Sequence, residues 1–190
     1  MTARNTFIGR KDIRVRVADW KDYELIDTSA GERLERWGDV LLIRPDPQII
    51  WDTEKKDPRW KSAHARYHRS HTGGGAWEEK KKVPPVWKIH YTGKKGGIGR
   101  ELTFRLKTMG FKHTGIFPEQ AVNWDFAAEK IRRAGRPVKV LNLFGYTGAA
   151  TLACAAAGAQ VCHGGASRGM VSWARGNAAA SGLEDKPIRG

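Results

Sequence analysis

Lys139-Val-Leu-Asn-Leu-Phe-Gly-Tyr-Thr-Gly148 carries an apolar segment straight into a glycine-bounded turn. Val138 to Phe144 is a nearly unbroken apolar run, the pattern of a strand buried on both faces of a parallel sheet. Gly145 to Gly148 then reads as a tight turn. Ala149 to Ala157 is alanine-rich and helical, with Gly158 as its stop. Glycines in such a turn let the backbone approach a ligand closely. The following helix offers free N–H groups and a partial positive charge, which suit a phosphate or a carboxylate.

Forward of the turn, Ala159 to His163 is a second short strand, and Gly169 to Ala180 a second helix ended by Gly182. Backward of it, Phe117, Ala121, Trp124, Ala128 and Ile131 are spaced 4, 3, 4 and 3, which is one face of a helix. Pro118 suits its first turn and Gly135 its C-terminal cap. Strand, turn, helix, strand, helix is the opening of a doubly wound, Rossmann-like α/β fold. Residues 111–190 are expected to be its N-terminal part.

Residues 20–110 have a different character. Tyr23 to Ile26 is a short strand. Leu34 to Trp37 and Val40 to Ile43 flank Gly38-Asp39 as a hairpin. Val86 to Tyr91 and Glu101 to Leu106 alternate as a second hairpin around Gly93 to Arg100. Between them residues 52–85, with Gly73-Gly74-Gly75, Pro84-Pro85 and the charge run Glu78 to Lys82, read as a long loop or insert. The expectation is a small β-rich, basic domain over 20–110, preceded by an extension at 1–19.

The chain of 190 residues carries a net charge of +14, unevenly spread. Residues 1–52 hold 9 basic and 10 acidic side chains, net −1, whereas residues 53–112 hold 16 and 5, net +11. A concentrated basic block suits a polyanion such as RNA, although a solvated loop would look the same. Trp60, Tyr67, Trp77 and Trp87 interleave with these cations and read either as base-stacking surfaces or as core anchors. No apolar run approaches the roughly 20 residues of a membrane helix, and Met1 to Arg16 has no secretory h-region. Cys154 and Cys162 read as buried small hydrophobes, so a cytoplasmic protein without disulfides is expected. His64, His68 and His71, spaced 4 and 3, could share a helix face, but flanking Arg66 and Arg69 argue against a metal site.

The turn itself leaves several ligands open. A Walker loop would need Gly-Lys-Ser/Thr, which is absent. A dinucleotide fingerprint would need Gly-x-Gly-x-x-Gly, and only Gly145-x-x-Gly148 is present. A purely structural βα turn remains a further reading.

A more specific resemblance rests on Gly110-Phe-Lys-His-Thr-Gly-Ile-Phe-Pro-Glu-Gln-Ala-Val-Asn-Trp124 followed by Lys139 to Gly148. It extends to Trp173-Ala-Arg-Gly-Asn177 and back to Gly31-Glu-Arg-Leu-Glu-Arg-Trp-Gly-Asp39. In these runs the chain resembles class I S-adenosylmethionine-dependent methyltransferases related to bacterial ribosomal-RNA methyltransferases. The resemblance implies that Asn142, Phe144, Gly145, Tyr146, Thr147 and Gly148 surround the methionine part of S-adenosylmethionine. It implies that Phe117, Glu119 and Gln120 pack near the cofactor, and that Ala166 and Ser167 lie near its adenosine. Phe117 also reads as a helix staple, and Glu119 with Gln120 as a first-turn capping pair.

Two departures stand out. The family pattern puts an acidic, ribose-binding residue at the end of the second strand, where this chain has Gly165, after Gly164 in place of an apolar residue. No Asp-Pro-Pro, the loop that orients the methylated base in such enzymes, occurs in the sequence. The expectation is therefore a truncated methyltransferase acting on RNA, with weak cofactor binding and little turnover. The alternative is a non-catalytic basic nucleic-acid-binding module built on residues 20–110. Catalytic residues and oligomeric state are not legible.

Overall fold

The computed structural model describes residues 17–71 and 73–190; most of the expected extension at 1–19 lies outside them. Strands β1 (Tyr23–Ser29), β2 (Glu32–Trp37), β3 (Val40–Pro45), β4 (Ala65–Arg69) and β5 (Gly75–Glu79) form one sheet in that order, with the short helix α1 (Arg59–Ser62) before β4. The expected hairpin is present: Trp37 pairs with Val40 across Gly38, whose φ is 64°. Its inward residues Leu34, Trp37 and Leu42 are fully buried. So is Glu35, an acid in a core, and it is satisfied there. Arg44 donates to it through Nε (2.6 Å) and Nη2 (2.7 Å), and the Tyr23 hydroxyl adds a third bond (2.9 Å). Burial and the Glu35 carboxylate push the Tyr23 phenol well above its ordinary pKa.

Residues 52–85 are not one long loop, because α1, β4 and β5 lie inside them. Ala65 and Tyr67 point inward, and Tyr67 packs edge-on against Trp77 at 5.3 Å. The outward positions of this hairpin are Arg66, His68, Glu78 and their neighbours, so its composition resembles a loop. The three histidines share no helix face. His64 Nδ1 accepts from the Leu41 amide (3.1 Å), and His68 pairs with Glu78 (2.6 Å) on β4. Among the described residues no group of three or more side chains could hold a metal ion. Trp60, Tyr67 and Trp87 are core anchors, each buried, and Trp77 donates to the Met109 carbonyl oxygen at 2.8 Å.

Strands β6 (Trp87–Tyr91) and β7 (Leu102–Leu106) form the second expected hairpin. Helix α2 (Ala121–Arg133) follows a 3-10 turn at Pro118–Gln120. Then come β8 (Lys139–Asn142), α3 (Ala149–Ala156), β9 (Gln160–His163), α4 (Arg168–Ala180) and a short β10 (Ile188–Arg189). The last three strands make a parallel sheet in the order β10-β9-β8. The protein is thus α/β, as the turn and its flanking helices imply. One apolar cluster runs from Trp37 and Ile89 through Phe104 and Trp124 to Leu152 and Leu183, joining the hairpins to the helices. Side chains of α4 and its C-cap satisfy β7: Asn177 accepts from the Arg105 amide and Ser181 from the Thr103 amide, each at 2.9 Å.

The parallel sheet is covered on one face only. Val140 and Val161 pack with Ile131 and Ala155. On the opposite side Leu141 and Leu143 are 63% and 65% exposed, so β8 is not buried on both faces. Cys154 is buried, but Cys162, beside Leu141 on the bare face, is exposed. Among the described residues no helix is long and apolar enough to cross a membrane.

Candidate functional site

The site is built where β8 runs out. The Gly145 amide donates to the Gly164 carbonyl oxygen (2.9 Å) and Gly164 to Asn142 (2.7 Å), so strand pairing holds the turn against the end of β9. Tyr146 then adopts φ 47° and Gly148 φ 95°, which throws the chain into α3. A left-handed tyrosine is an uncommon conformation and marks a constrained turn. Gly148 also permits close packing: a Cβ there would lie 2.9 Å from Ala174 Cβ. Asn177 of α4 donates to the Thr147 carbonyl oxygen (2.9 Å), and the Thr147 hydroxyl donates to that of Gly115. No side chain caps the first N–H groups of α3.

A cleft of about 240 Å³ opens beside this turn. It brings together Phe117, Gln120, Asn142, Phe144, Gly145 and Tyr146, six of the residues singled out in the sequence. Ala149 and Ala150 add the open end of α3, so the cleft combines aromatic walls with helix-terminal donors. The rings of Phe117 and Tyr146 stand 5.2 Å apart. Asn142 is oriented by donating to Thr151 Oγ1 (3.0 Å) and Gln120 by accepting from Asn123 (2.9 Å). Asn123 lines the cleft too, one helical turn after Gln120; that spacing could have revealed it.

The remaining candidates lie elsewhere. Thr147 and Gly148 are buried beneath the turn and shape it. Glu119 faces a second pocket behind Phe117, with His113. Ala166 and Ser167 are exposed beyond β9, and Ser167 Oγ caps α4 by accepting from the Met170 amide at 3.5 Å. Gly165 lies nearby, where a Cβ would be 3.9 Å from His163 Nε2. His163 is buried, its Nδ1 bonded to Thr151 Oγ1 (2.9 Å) and its Nε2 without a partner. Burial holds its pKa below the ordinary 6.5. A larger cavity of about 490 Å³ lies between His163, α4 and β10, and none of the candidate residues lines it.

The cleft lies at the carboxyl end of parallel strands, beside a glycine turn and a helix N-terminus, which is where open α/β folds take their ligands. The chain is similar to the SAM-dependent methyltransferase from Agrobacterium tumefaciens: 38% identical, with a TM-score of 0.81 over 90% of this chain and 52% of that one. It shares its fold with a Streptococcus mutans protein described as a SAM-dependent methyltransferase (18% identity, TM-score 0.59, 84% and 41% coverage). It also shares it with a structure described as a methyltransferase complexed with SAH (18%, 0.58, 84% and 40%). The chain therefore spans about half the length of the A. tumefaciens protein. No protein-family model matches the chain, and no curated protein does.

Proposed function

We propose that the chain binds S-adenosylmethionine in the cleft between Phe117, Gln120 and the Asn142–Tyr146 segment, as part of a methyltransferase acting on RNA. The observation that carries this reading is the turn itself: Tyr146 and Gly148 both left-handed, with α3 uncapped and open to the cleft. The identity of 38% over 90% of the chain to a SAM-dependent methyltransferase supports it.

The residues present fit the methionine end of the cofactor. Uncapped N–H groups of α3 suit its carboxylate, and Phe117, Phe144 and Tyr146 supply apolar walls. The ribose end fits less well, because Gly165 provides no carboxylate for the two hydroxyls. Such charged hydrogen bonds contribute roughly 1.5–3 kcal/mol, so binding is expected to be about 10- to 100-fold weaker than with an acid there. Bound, the cofactor supplies a methyl carbon on a positively charged sulfur. The protein's contribution is to orient that group and the acceptor.

RNA as acceptor is supported by the +11 net charge of residues 53–112. Transfer of a tritiated methyl group to RNA, run beside a salt series of RNA binding, tests both halves. Binding with a steep salt slope but no transfer would favour the non-catalytic module instead.

A further inference from the structure

Behind Phe117 lies a second pocket, of about 260 Å³, between the end of β3 and the loop that leads to α2. Its floor is Arg44, which is nearly buried and held rigidly by Glu35 on one side and by the Lys112 carbonyl oxygen (3.1 Å) on the other. Lys112 returns the bond by donating to the Pro45 carbonyl oxygen (3.1 Å), so strand end and loop are stitched together. Arg33 enters from β2 and pairs with Asp46. Of the pocket's acids, Asp46 is engaged by Arg33, and Glu119 is exposed at the rim; Glu35 beneath it is consumed by Arg44 and Tyr23. The Lys112 ammonium differs from the two arginines in bonding a neutral carbonyl rather than a carboxylate. Burial and the neighbouring charges of Arg69, Arg33 and Arg44 hold its pKa below the ordinary value, with Asp46 acting the other way. An entering anion would relieve that repulsion.

The aromatic side of the pocket continues into the cofactor cleft. His113 stands 5.2 Å from Phe117, edge to face, and Phe117 stands 5.2 Å from Tyr146. Phe117 lines both spaces and is the wall between them. Burial, Arg44 and Lys112 lower the His113 pKa, so near neutral pH its ring is an uncharged surface.

We infer that this pocket holds a nucleotide of single-stranded RNA, its phosphate on Lys112 and its base on the His113–Phe117 aromatic pair, adjoining the nucleotide presented to the cofactor. Aromatic faces beside fixed cations are what unpaired nucleotides require, whereas a duplex hides its base faces. The inference rests on the proposed RNA methyltransferase reading, but it concerns a different space from the cofactor cleft.

The test is fluorescence anisotropy of a labelled single-stranded oligoribonucleotide and of a duplex of equal length, with the 190-residue chain and its K112A, K112R and H113A variants. SAH binding by calorimetry is measured in parallel. The expected result is a preference for the single strand. K112A should weaken it about tenfold and reduce the salt slope by about one, K112R should restore most of the affinity, and H113A should weaken binding without changing the slope. SAH affinity should be the same in the unmodified chain, K112A and K112R. Unchanged RNA binding by K112A, preference for the duplex, or no RNA binding by the unmodified chain overturns the inference. SAH binding in those same samples shows whether the cofactor reading stands apart from it.

Discussion

His163 fills the space that a side chain on Gly145 would need. A Cβ at position 145 would lie 2.6 Å from the imidazole Nε2, closer than any tolerated contact. The two residues sit at the ends of adjacent parallel strands, so the glycine turn is shaped from below by a buried histidine. Gly145→Ala is therefore expected to displace the ring and to cost about 1–3 kcal/mol, the usual penalty of overpacking. Denaturant unfolding measures it. A stability within about 0.5 kcal/mol of the unmodified chain would mean the ring moves freely.

The same imidazole makes stability depend on pH. Its folded-state pKa lies below 6.5 because of burial, so the unfolded chain takes up the proton first. The neutral ring's contribution is fully present above about pH 6.5 and is lost as pH falls from there through the folded pKa. His64 and His113, also held low, act in the same direction. Unfolding free energies at pH 7.5 and pH 5.5 should differ, and His163→Gln should shrink that difference while leaving part of it.

Much of the site was legible because local sequence dictates it. The apolar run into Gly145 and Gly148, and the spacing of Ala121, Trp124 and Ala128, require no knowledge of the rest of the fold. The β4–β5 hairpin was hidden because only Ala65 and Tyr67 face inward on β4 while charges cover its outer side. Leu141 and Phe144 read as buried because composition reports hydrophobicity and not what covers it. The separation of Glu119 from Gln120 depends on where the helix begins, and the 3-10 turn at Pro118–Gln120 sends the two to different pockets. The His163–Gly145 contact crosses between strands, and no local pattern encodes it.

Glu35 and Arg44 test the frame that carries the second pocket. Removing one partner of a buried, hydrogen-bonded ion pair leaves an uncompensated charge, and typically costs about 3–5 kcal/mol. Glu35→Ala should lose stability in that range. The double variant E35L/R44M should lose distinctly less, because no charge is left buried. Equal losses in both would mean that packing, not charge, decides.

Gly165 stands where the resemblance to S-adenosylmethionine-dependent methyltransferases places a ribose-binding acid. A Cβ there meets Val171 Cγ2 at 3.3 Å and lies 3.9 Å from His163 Nε2, so Gly165→Asp requires only a small adjustment. Its carboxylate would have the orphaned Nε2 within reach as an orienting donor. SAH affinity is expected to rise about 10- to 100-fold. An unchanged affinity would remove Gly165 from the account of weak binding.

Calorimetric titration of SAH into the 190-residue chain and its Phe144→Ala variant decides whether the cleft holds the cofactor. Phe144 is 93% exposed and lines the cleft, so its removal should leave folding stability within about 0.5 kcal/mol. The cofactor reading predicts one-to-one binding to the unmodified chain and clearly weaker binding to the variant. No binding by the unmodified chain, or equal affinity in both, would contradict it.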